Sequence, residues 1–177
     1  MGKPHPHIPV KLIVGLIFGK RFYFIRARHI LEKKFGKVEA QSPEFDFSCT
    51  DYYADELGHG LKRVFLSFKQ LIVLKNSYQI KLFTNRIEKK LSNSGLRTVN
   101  IDPGYISLSK LVLFTTKNRS HRIYLDKGIY ADLELTFEDK TFRPLKWAYP
   151  DCKSGEYIDF FNLIRADYYK QIKKVLA

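Results

Sequence analysis

VKLIVGLIFGKRFYFIRARHILEKKFG, Val10 to Gly36, decides the fold class. Its first nine residues are an almost unbroken apolar run rich in branched side chains, the pattern of an interior strand buried on both faces. From Lys20 to Phe35 the period changes. Phe22, Ile25, His29 and Ile30 fall at helical spacing, and Gly36 supplies a C-terminal stop. Upstream, MGKPHPHIP carries three prolines in nine residues and reads as a flexible lead-in.

The same alternation continues downstream. KVEAQSPEFDFS reads as extended, and LKRVFLSFKQLIVL as a strand with Val64, Leu66 and Phe68 on one face. Between them CTDYYADELGHG is a polar, aromatic, turn-rich loop. Asn76 is placed as an N-cap with Gln79 three residues on, and Ile80, Phe83, Ile87 and Leu91 form the stripe of the helix that follows. LRTVNI is the next strand. Strand, helix, strand, strand, helix, strand is the split βαβ order of ferredoxin-like domains.

The last third extends that unit. SLSKLVLFTTK suits a short helix capped by Ser107, and HRIYLDKGIYADLELTF suits a hairpin turning at Asp126 to Gly128. TFRPLKW adds a short strand after a turn at EDK. Near the end Tyr157, Phe160, Phe161, Ile164, Tyr168 and Ile172 share one helix face that should dock on the sheet. The expectation is a single α+β domain over residues 1–177: a mainly antiparallel sheet with a ferredoxin-like (βαββαβ) core, an added hairpin and a C-terminal helix.

Composition bounds the function classes. A 177-residue chain with 14 Phe and 11 Tyr can bury a sizeable core. Cys49 and Cys152 stand alone, without CxxC spacing, which points to a reducing, cytoplasmic setting. LIVGLIF is far too short to span a bilayer, so no membrane partner is expected. The net charge of +13 is concentrated: residues 1–40 carry nine Lys/Arg against two acids, and residues 76–128 carry ten against three. If those blocks meet in space, they attract phosphates or nucleic acid.

Several motif classes are missing. GLIFGKR has one residue too few between its glycines for a phosphate loop, and Arg21 stands where the magnesium-binding hydroxyl belongs. There is no HExxH, GxSxG or EF-hand pattern, and His5 with His7 does not close a metal site. No metal is expected and no cofactor is indicated.

The candidate site lies in NIDPGYISLSKLVLFTTKNRSHRIYL. Asp102 ends a strand at Asp-Pro-Gly, where it can accept turn amides or orient a ligand hydroxyl, a cation or a lysine. Lys110 and Lys117, seven apart, project from one face of the helix expected between them. Thr116, Lys117, His121 and Arg122 belong to a run of cations, hydroxyls and one group titrating near neutrality, which suits phosphate or carboxylate recognition. His121 and Arg122 alternate across a strand, so they share one ligand only if the strand has not yet begun there.

PVKLIVGLIF, DYYADELG, TNRIE, VNIDPGYISLSKLVLFTTKNRSHRIYLDKGIYADLEL and YPD together resemble a bacterial and archaeal family catalogued as a domain of unknown function, family 4416. Some of its members bear the label "GTP-binding protein". The resemblance runs over nearly the whole chain and implies no known reaction. TNRIE has the Asn of a guanine-reading motif without its Lys or Asp, so the label does not become a GTPase assignment here.

Three readings compete. One is a binder of, or enzyme acting on, a phosphorylated or anionic small ligand such as a nucleotide. There Lys110, Lys117, Arg122 and Thr116 hold the anion, His121 acts as acid or base, and Asp102 and Tyr105 orient partners. The second is an RNA-binding protein whose basic blocks contact phosphates and whose aromatics stack bases. The third is a protein-interaction module presenting DYYADELG and the C-terminal aromatic helix.

Overall fold

Every residue of β1 (Val10–Phe18) is buried, because the strand lies between β4 (Lys62–Ile72) and β5 (Val99–Ile106), antiparallel to both. The computed structural model describes residues 2–50 and 52–176. Outward from β1 the sheet runs β2 (Val38–Gln41), β4, β1, β5, β6 (Lys110–Thr115), β8 (Ile129–Glu138), β7 (Arg122–Asp126). A two-residue β3 (Phe45–Asp46) shares the edge of β4 with β2, and β9 (Thr141–Pro144) shares the edge of β8 with β7. All of these pairings are antiparallel. The chain is thus one α+β domain with a mainly antiparallel sheet, and the nine strands among the described residues exceed those of a simple split βαβ unit.

Alternation along β1 divides the core. Leu12, Val14, Leu16 and Phe18 meet α1 (Arg21–Phe35) and α3 (Tyr78–Leu91) on one face. Ile13 joins Phe65, Ile106, Leu113 and the inward side of α4 (Gly155–Leu176) on the other. The α4 stripe is buried as its spacing predicts, with Phe161 and Ile164 in the interior. Burying Phe160 and Phe161 of α4 outweighs their lost rotamer freedom, since each contributes about 1.5–3 kcal/mol. The loop before β4 holds only a single helical turn, α2 (Ala54–Leu57). Among the described residues no helix is long and apolar enough to cross a membrane.

Three local expectations are corrected. The buried face of α1 is Phe24, Ala27 and Leu31, while Phe22 and Ile25 are more than half exposed. Both stripes have helical spacing, and the ring of Phe24 stacking on Phe18 at 4.9 Å decides between them. In α3 the cap position is Ser77, one residue later than expected, because Asn76 takes a left-handed φ of 58°. Ser107 to Thr115 is no helix: the Ser107 amide bonds back to the Lys110 carbonyl, turning β5 into β6. Leu111, Val112, Leu113 and Phe114 are all buried, which a strand covered on both sides requires and a one-sided helix does not. The two hairpins after β6 turn where expected, through left-handed Lys127–Gly128 and Asp139–Lys140.

Candidate functional site

The site begins as a parting of two strands. β5 pairs with β1 along its whole length, but with β6 only from Gly104 to Ile106. A Cβ at Gly104 would overlap the Val112 carbonyl oxygen, so only glycine lets the strands close there. Toward the start of β5 they separate. The orphaned groups of Ile101 are met instead from α3: Lys81 Nζ donates to its carbonyl at 2.8 Å, and its N–H donates to Glu88 Oε1 at 2.6 Å. Pro103, two residues on, has no N–H to lose on that same edge. Asp-Pro-Gly therefore continues the strand and does not end it.

Asp102 lies in this gap at the centre of a charged floor. Its carboxylate accepts from Arg63 Nη1 at 3.2 Å and from Asn100 Nδ2 at 2.7 Å, and Lys81 Nζ lies 3.5 Å away. Burial works to raise its pKa, but Lys81 and Arg63 outweigh burial and hold it below the ordinary carboxylate range. Arg63 is buried on β4 and reaches Asp102 across Gly15, which pairs with Asp102 in the neighbouring register. A Cβ at position 15 would come within 2.8 Å of that guanidinium. Burial opposes the charge of Arg63, yet Asp151 and Asp102 keep it ionised. Its Nε has no hydrogen-bond partner among the described residues and stands 3.9 Å from the Asp151 carboxylate.

Above this floor lies a cleft of two adjoining lobes. The larger, about 400 Å³, has Arg63 and Asp102 below and Phe47, Tyr52, Tyr53 and Tyr149 among its walls. The smaller, about 190 Å³, is polar, with Lys81, Arg97, Asn100, Thr115 and Thr116 among its lining. Asp102, Lys117, Tyr52, Tyr53 and Tyr149 belong to both. The ammonium of Lys117 sits 4.1 Å from the centroid of the Tyr52 ring. Burial raises the Tyr53 and Tyr149 hydroxyl pKa values, so both remain neutral donors.

A second layer holds the Tyr149 wall. Its N–H donates to Glu134 and its hydroxyl accepts from Arg122, each at 2.9 Å. Arg122 also donates to the Lys117 carbonyl at 2.9 Å and to Asp132 at 2.6 Å. His121 Nε2 approaches Asp132 at 3.5 Å, and its ring stacks on Trp147. Burial, opposed by the Tyr149 amide and reinforced by the Asp132 charge, pushes Glu134 up to about 8. One buried oxygen on each of these carboxyls, Asp132 Oδ1 and Glu134 Oε1, lacks a hydrogen-bond partner among the described residues.

Residues 8–168 match a family model described as a domain of unknown function, DUF4416. The chain belongs to this family. No curated protein and no solved structure matches it.

In this DUF4416 chain the expected site residues divide. Asp102, Thr116 and Lys117 line the cleft. Arg122 and His121 do converge, because β7 begins only at Arg122, but on Asp132 behind the cleft wall. Lys110 is separated from Lys117: it starts β6 opposite Thr136, and an extended chain carries the two roughly 20 Å apart. Their shared helix face does not exist. Tyr105 shares the β5 face of Ile101, directed away from the floor, with its ring 6.0 Å from Phe114. Arg63, Lys81 and Tyr149 escape the sequence reading, although Arg63 alternates with Phe65 on a strand face that an aromatic α4 had to cover. Among the described residues no cluster of three His, Cys, Asp or Glu side chains is placed to hold a metal.

Proposed function

We propose that the cleft binds a small anionic ligand with a flat ring, a nucleotide being the class that fits best. The observation carrying this reading is an aromatic-walled cavity of about 400 Å³ over Arg63 and Asp102 that adjoins a polar lobe with Lys81, Arg97 and Lys117 in its lining. Apolar walls with a few placed polar groups are what a small-ligand pocket needs. The ring occupies the larger lobe against Tyr52 and Tyr149, with Asp102 accepting a ring N–H or a hydroxyl. The phosphate occupies the smaller lobe at Lys117, Thr115 and Thr116. Arg122 and His121 act through Tyr149 and Asp132, as positioning groups without ligand contact. Behind the site, the β2-β4-β1-β5 half with α1 and α3 serves as a ferredoxin-like core in this reading, set in a cytoplasmic protein.

Thermal denaturation with nucleotides and the matching nucleosides tests it. Nucleotides should raise the midpoint well above nucleosides, because only a ligand of the folded state stabilises it. Lys117→Ala should abolish the increment while leaving the unliganded midpoint nearly unchanged, since Lys117 is exposed. No shift at millimolar nucleotide, or an undiminished shift in the variant, overturns the reading.

A further inference from the structure

The two basic blocks of the sequence do meet, outside the cleft. Phe35 at the end of α1 packs edge-on against Phe83 of α3 at 5.6 Å, and this sets Lys34 beside Arg86. Both cations are exposed. Between these helix ends and the tail of β4 lies a groove of about 500 Å³ that shares no lining residue with the cleft. The charged residues that line it are Lys34, Lys75 and Arg86, and no carboxylate does. Its floor is apolar, from Ile72, Ile80 and Phe83. Lys34 and Arg86 each hold their charge 5.8 Å from the centroid of the Phe83 ring.

The groove also opens on the N-terminus of the 14-residue α3, whose first turn contains no acid. Ser77 lines it, is 8% exposed, and makes no capping hydrogen bond to the helix. A hydroxyl that caps nothing at a helix start, in a groove lined by three cations, adds a donor for an acceptor with negative charge. The apolar floor asks for something more than a bare ion.

We propose that this groove is a second site, for a phosphate ester. The phosphate oxygens are held by Lys34, Lys75, Arg86 and the Ser77 hydroxyl, and the esterified group lies on Phe83 and Ile72. A free nucleotide, a nucleic-acid backbone and a lipid headgroup all present this chemistry.

Amide-resolved NMR titration of the full chain separates the sources, using pyrophosphate, uridine 5′-monophosphate, a ten-residue oligouridylate and phosphatidylglycerol vesicles. The expected result is movement of the Asn76, Ser77 and Gln79 amides with at least one probe, the tightest of which identifies the source. The double variant Lys34→Ala, Arg86→Ala should raise the half-saturation concentration at least tenfold, while Lys117→Ala leaves it unchanged. If the double variant does not fold, Lys75→Ala in the connection before α3 replaces it in the same comparison. Amides at 76–79 that no probe moves, or an unaltered half-saturation in the variant, overturn the proposal.

Discussion

The guanidinium of Arg63 occupies the space that a side chain at Gly15 would fill. The two are offset by one step in the β1–β4 ladder, Gly15 pairing with Phe65 and Arg63 with Ile17, so the arginine lies diagonally over the glycine to reach Asp102. Gly15→Val should therefore expel Arg63 from the floor, at a cost of about 1–3 kcal/mol for overpacking. Urea denaturation measures it; an unchanged midpoint would mean that Arg63 has free room elsewhere.

The ion network of the floor should be strongly coupled. Arg63→Met alone strips Asp102 and Asp151 of their shared counter-charge and should cost about 3–5 kcal/mol, as breaking buried pairs does. Arg63→Met combined with Asp102→Asn should recover part of that loss. A double-mutant cycle reads the interaction, and simple additivity would show that the two residues do not interact.

Glu134 sets a pH dependence whose sign is fixed by its raised folded pKa, about 8. Folding favours the protonated form, so its contribution is fully present below the unfolded carboxyl value, roughly 4.3, and is lost as pH rises toward 8. Glu134→Gln mimics the neutral acid and should gain on the wild type as pH increases from 5 to 9. Parallel midpoint-against-pH curves for the two proteins would refute this.

Phe161 anchors α4 on the sheet and is 1% exposed, with its ring 4.9 Å from that of Phe65. Phe161→Ala should destabilise by about 3–5 kcal/mol. Chemical denaturation checks it, and loss below 1 kcal/mol would place the helix outside the cooperative core.

Elements whose apolar pattern allowed one period were legible in the sequence: β1 falls on Val10 to Phe18, and the α4 stripe is buried where its spacing puts it, while the α3 stripe buries Ile87 and Leu91 and leaves Ile80 and Phe83 half-buried. LVLF in β6 was not, because a short apolar run fits a strand buried on both sides as well as a helix, and the wrong choice joined Lys110 to Lys117. Asp-Pro-Gly misled for a related reason. Proline is excluded from a strand only where its N–H would face a partner, and whether β6 has begun pairing at that level is a fact of tertiary structure. The floor of the cleft was hidden because Arg63 and Lys81 are residue types that normally face water.

The side chains of Lys81 and Glu88 that bond Ile101 also have a protective consequence. Where β5 and β6 part, two rows of backbone groups would otherwise lie open in the middle of the sheet, and such rows recruit foreign strands. With the Ile101 carbonyl and N–H both occupied from α3, and no N–H on Pro103, the β5 row offers an invading peptide no ladder to extend. The opening can thus stay wide without inviting β-aggregation along β5.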